Sequence, residues 1–152
     1  MSELLIASIT IFGGFVVFVL GQMTLKFSIE PIHKQSEIIG GIAHSLIFYA
    51  DLYSNPGEDR LEDRGKASEM LRDQAAQLMA RTHVIKIYSL FEFLKLAPKR
   101  SAVKEAHHYL IGISNLIHVS PTIARDVAQD GVLAYSLRQK VEKLLNIKPR
   151  DS

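Results

Sequence analysis

The sequence predicts an all-α protein: a single N-terminal transmembrane helix followed by an antiparallel up-down helical bundle of about four helices. Two observations carry this prediction. From Leu4 to Leu25 the chain runs 22 residues without a charge. Beyond that run, apolar residues recur at helical spacing in segments divided by short connections rich in Pro, Gly, Asn and Ser. No stretch alternates for long with period two, so no sheet is expected, and no repeat of solenoid length is visible.

The apolar run defines an anchor over residues 1–27. At 1.5 Å per residue, 22 helical residues reach about 33 Å, enough for a hydrocarbon core of roughly 30 Å. A helix is required there because lipid offers no partner to backbone polar groups. A signal peptide fits less well. The chain starts Met-Ser-Glu without Lys or Arg, and the run ends in Gly21-Gln22-Met23, not in a small-x-small site. Lys26 and Lys34 follow the run and no base precedes it, which places the N-terminus outside and the C-terminal body in the cytoplasm. Ala7, Gly14, Gly21 and Ser28 fall seven apart with Thr10 beside them, a small-residue stripe suited to helix–helix contact.

The body spans residues 28–147, with helices expected over 29–54, 58–97, 102–118 and 121–146 and a tail over 148–152. Ser28 is expected to cap the first, with Pro31 in its first turn, and Ile32, Ile39, Ile42, Leu46 and Tyr53 give it an apolar face. Ser54-Asn55-Pro56-Gly57 ends it, and Asn55 with Glu58 forms a capping box for the second. The second becomes clearly periodic at Leu71, Ala75, Leu78, Thr82, Ile85 and Ser89. Pro98 closes it and Ser101 opens the third, which carries Val103, Ala106, Leu110, Ile113 and Ile117. Ser120-Pro121 starts the fourth, with Ile123, Val127, Ala134, Leu137, Val141 and Leu144 inward and Asp130-Gly131 as a kink or turn.

Up-down topology has a geometric consequence: the second and fourth helices return toward the anchor. Lys95, Lys99, Arg100, Lys104, Lys148 and Arg150 then gather near the membrane, where each could attract anionic lipid by about 1 kcal/mol. Basic residues also favour helix C-termini for dipole reasons alone. The segment Val84–Leu96 is apolar around most of its circumference, so Ile87, Leu90, Phe91, Phe93 and Leu94 are expected in a core or at a partner surface, with a dip into the headgroup region the lesser alternative.

The composition narrows the chemistry. The absence of cysteine removes disulfide scaffolds, thiolate metal sites and Cys nucleophiles, and a net charge of +2 is too small for a nucleic-acid-binding domain. No GxSxG, P-loop, HExxH or EF-hand pattern occurs, so no catalytic residue, cofactor or metal is expected. His44, Glu105, His107 and His108 are weak metal candidates, because a di-metal carboxylate site needs two ExxH motifs and Glu105–His108 is one. The expected function is non-enzymatic: a single-pass membrane protein whose body self-assembles or docks another membrane protein, with the bilayer as partner. The alternatives are a membrane-bound enzyme or ligand-sensing module using His44, Asp51, His107 and His108, and a holin- or toxin-like effector.

Overall fold

The computed structural model describes residues 2–54, 60–118 and 127–147, and among these every regular element is helical. In order they are α1 (Ser2–Thr24), a π-helical turn (Leu25–Ile29), α2 (Glu30–Phe48), α3 (Ala50–Ser54), α4 (Leu61–Val84), α5 (Tyr88–Phe93), α6 (Arg100–His118) and α7 (Val127–Leu144).

α1 and α2 are one helix. It runs unbroken over 46 residues from Glu3 to Phe48, a length of about 69 Å. Ser28 is therefore not an N-cap. It lies inside the π turn, where the Glu30 N–H donates to the Leu25 carbonyl five residues back. In α1 the hydroxyls of Ser8, Thr10 and Thr24 donate to carbonyls four residues earlier at 2.8–2.9 Å, so these polar groups are satisfied within the helix. The helix ends earlier than residue 54, at Tyr49, whose N–H donates to Ser45 at 2.9 Å before α3 begins.

The second expected helix, 58–97, is divided. α4 stops at Val84, Ile85 is extended, and α5 is a separate short helix. Val84, Ile85 and Ile87 are β-branched and bias the backbone away from helix there. Ser89, expected inward by continuing the α4 period, is consequently exposed. α6 follows expectation, with Val103, Ala106, Leu110, Ile113 and Ile117 all buried. α7 passes through Gly131 without a break. The expected caps at Asn55 and Ser120-Pro121, and the tail 148–152, lie outside the described residues.

α4, α6 and α7 pack together, and α2 lies on α4. The cross-helix contacts fix the directions. Gln35 of α2 meets Thr82 while Ser45 meets Gln74, so α2 and α4 are antiparallel. Ser68 meets Ser114 while His107 meets Ala75, which makes α4 and α6 antiparallel. Lys140 lies over Tyr109, and Leu137 faces Gly112, so α6 and α7 are antiparallel as well. Their common core includes Ile42, Leu71, Leu78, Leu110, Ile113 and Val141.

Glycines mark two close approaches. A Cβ on Gly41 would stand 3.4 Å from the Gln74 amide nitrogen, and one on Gly112 would stand 3.3 Å from Leu137 Cδ1. Gly112→Leu is expected to destabilise the body by about 1–3 kcal/mol, since the side chain must displace α7. Gly40 has open space around it, so Gly40→Ala should stabilise by about 0.5–1 kcal/mol through helix propensity. Chemical denaturation of the two variants checks both signs.

Candidate site where the apolar helix meets the body

The most organised group of polar and apolar side chains lies where the long helix passes from α1 into α2. The described side chains before Phe27 are all exposed, and the most apolar window of the long helix has mean hydropathy 2.5. Among the described residues this is the one helix long and apolar enough to cross a membrane, a property that a membrane span shares with a signal sequence. At Ser28 the surroundings change, and from there Ser28, Gln35, Ile42 and Leu46 are buried by the body. Glu30, His33, Lys34 and Glu37 face water on the other side, with Lys34–Glu30 at 2.6 Å and His33–Glu37 at 3.7 Å.

α4 arrives at the same height from the opposite direction. Lys86 Nζ sits 6.0 Å from the centroid of the Phe27 ring. The chain then folds over the end of the bundle through α5 and returns along α6. A buried polar knot holds this fold-over. The Gln35 side-chain amide donates to Thr82 Oγ1 at 2.7 Å and to the Tyr88 hydroxyl at 3.0 Å. Thr82 donates onward to Leu78 O at 2.7 Å, and Tyr88 donates to Pro98 O at 2.7 Å. Gln35, from α2, thereby joins α4, α5 and the connection into α6.

Arg100 closes the outside of the knot. Its guanidinium lies 5.0 Å from the Tyr88 ring centroid and donates to Ile85 O at 3.2 Å, while its backbone N–H donates to the Glu92 carboxylate. Burial pushes the Tyr88 hydroxyl above its ordinary range, because the phenolate would lose its hydration. α5 ends with Lys95 in the left-handed conformation, φ 57°, while the N–H groups of Leu96 and Ala97 both donate to Phe91 O.

The surplus apolar character of this segment resolves into two faces. Ile85, Tyr88 and Phe91 turn inward and form a small core with Ile32 and Ala97. Val84, Ile87, Leu90, Phe93, Leu94 and Leu96 turn outward and are all exposed, Phe93 to 82%. Of the five residues expected in a core or at a partner surface, Phe91 is core and the other four are surface. Beside them a cleft of about 430 Å³ runs between this segment, α2 and the end of α7, lined by Ile39, Lys95, Leu96, Lys99 and Leu144 among others.

The remaining expected residues are dispersed. Ala7, Thr10, Gly14 and Gly21 are exposed on α1, and a Cβ added to either glycine would meet no side chain or other element within 4 Å. Ser28 differs from them in being buried against the body, inside the π turn. Lys95, Lys99, Arg100 and Lys104 cluster around the fold-over, with Lys104 beside Thr82 and His83; Lys148 and Arg150 lie outside the described residues. The metal candidates do not converge. His44 stacks on Phe48, His107 Nδ1 hydrogen-bonds Ala75 O at 3.1 Å, and Glu105 accepts from Tyr109 at 2.7 Å. His108 lies edge-on to His107, and among the described residues no three His, Asp or Glu come together as a metal site. Asp51 pairs with Arg60 at 2.9 Å on the surface, away from His107 and His108.

Sequence reasoning did not single out the knot of Gln35, Thr82 and Tyr88. Its trace was a glutamine standing seven residues before Ile42 on the face that α2 buries. Comparison with protein-family models, curated proteins and solved structures returns no match.

Tyr88→Phe leaves the Gln35 amide and the Pro98 carbonyl each short of a partner, so a loss of about 1–3 kcal/mol is expected in denaturant titration. The wild-type protein should also carry a pH signature. With the folded pKa raised, the unfolded state releases the Tyr88 proton first, so the contribution is intact below the unfolded value of about 10 and is lost as pH rises above it. Stability measured across that range should fall less steeply in Tyr88→Phe.

Proposed function

We propose that this chain is a single-pass membrane protein whose up-down helical bundle is a non-enzymatic assembly or docking module held at the membrane surface. The observation that carries the reading is the undivided helix from Glu3 to Phe48, bare of neighbours in its first half and built into the core in its second. A removable leader has no need of such continuity. An anchor gains from it, since a helix without a hinge fixes the body's orientation to the bilayer.

The charge bias around Lys26 and Lys34 supports a body on the cytoplasmic side, with the N-terminus outside. The seven-residue spacing of Ala7, Gly14 and Gly21 motivates self-association, or association with another membrane protein, through the anchor. No element of the proposal calls for a cofactor or a nucleic-acid partner.

The native mass of the full-length protein in mild detergent, corrected for bound detergent, tests the assembly reading. A defined multiple of 17.0 kDa is expected. Gly14→Leu with Gly21→Leu should lower that mass while leaving helix content unchanged. A monomeric wild type would refute self-assembly, and a reporter fused after Ser152 that reads outside the cytoplasm would refute the orientation.

A further inference from the structure

We propose that the segment from Val84 to Leu96 is a second membrane contact, its outer apolar face resting in the headgroup region of an anionic bilayer beside the point where α1 leaves it. The inference rests on the reading of α1 as a membrane span, and adds to it a surface that the span alone does not require.

Position comes first. Lys86 lies against Phe27, two residues beyond the end of the uncharged run at Leu25. The antiparallel course of α2, α4 and α6 makes the Val84–Arg100 connection the end of the body that faces α1. The connection is therefore at the height of the headgroups once α1 is in the bilayer.

Chemistry comes second. α5 and its two flanking residues bury Tyr88 and Phe91 and leave Ile87, Leu90, Phe93 and Leu94 exposed. Among the described residues nothing covers this outward apolar face. The same connection carries three exposed lysines, Lys86, Lys95 and Lys99, against one carboxylate, Glu92, which accepts from the Arg100 backbone N–H. Apolar residues in the acyl boundary with lysines reaching to phosphates is the arrangement of an interfacial helix. A second copy of the chain fits the patch less well, because a two-fold pairing would bring the two sets of lysines together.

The chain lacks cysteine, so single labels can be placed without background. A depth-sensitive fluorophore would be attached to Phe93→Cys, to Phe15→Cys in α1 and to Glu69→Cys on the exposed side of α4. Each full-length protein would be reconstituted into phosphatidylcholine vesicles with and without phosphatidylglycerol, then quenched by shallow brominated lipid or by aqueous iodide. The expected result is several-fold stronger lipid quenching at 93 than at 69, greater with phosphatidylglycerol and reduced by Lys86→Gln, Lys95→Gln and Lys99→Gln together. Lipid quenching at 15 with position 93 behaving like 69 would overturn the second contact and leave the span standing. Shielding of 93 from both quenchers would overturn it in favour of a protein partner. Equal quenching in the two vesicle types would overturn the anionic preference. Absence of lipid quenching at 15 would remove the span, and this inference with it.

Discussion

Gln35 keeps its side-chain amide almost wholly out of water, between Thr82 and Tyr88. A primary amide withdrawn from solvent without partners costs several kcal/mol in an apolar medium, so its hydrogen bonds are a constraint on where neighbours must stand. Thr82 must present its oxygen from the last turn of α4. Tyr88 must reach back from beyond the end of that helix, which it can do only if the chain has turned. The break at Ile85 and the burial of Tyr88 are thus two aspects of one requirement. Pro98 completes it, since its carbonyl accepts a hydrogen bond from the Tyr88 hydroxyl and ties the approach to α6 to the same point.

That knot also sets the rotation of the long helix about its own axis. Gln35, Ile42 and Leu46 face the body, while Glu30, His33, Lys34 and Glu37 face water. The two ion pairs on the wet side contribute little to stability, being exposed and local, but they mark that side clearly. The change from a helix apolar all round to one divided into wet and dry faces occurs between Leu25 and Glu30, where the π turn lies. A π turn shifts the register of everything beyond it.

Much of the architecture was legible because helical period and boundary residues agree along most of the chain. α6 is the clearest instance: five apolar residues at helical spacing, all of them buried. The apolar run of α1 was equally plain. What could not be read was where helices join or part. Ser28 with Pro31 carries the composition of a helix start, yet nothing local forbids a helix from running through it, since proline in a first turn differs little from proline just after a π turn. Val84–Leu96 carries too many apolar residues for one face, and the sequence does not say whether the surplus lies on one helix or on two sides of a fold-over. Only the long-range partners of Gln35 and Tyr88, 53 residues apart in the chain, decide between them. The dispersal of His44, Glu105, His107 and His108 is of the same kind, since each is engaged by its own helix or by the backbone of the next.

The length of α4 shows how the two halves of the molecule constrain each other. Had the helix continued to Ala97, it would have extended about 20 Å beyond Val84, alongside α1. With α1 in a bilayer, that extension would carry Lys86, Glu92 and Lys95 into hydrocarbon, where each charge is costly. The fold-over avoids this by laying the same residues across the end of the bundle. Its charged side chains can then reach water or headgroups, while Ile85, Tyr88 and Phe91 still find a core. Phe93 and Leu96 remain exposed at that end among the described residues. On the proposed reading of α1 as a span, the exposed face and the broken helix are two consequences of one constraint, that charges stay out of hydrocarbon.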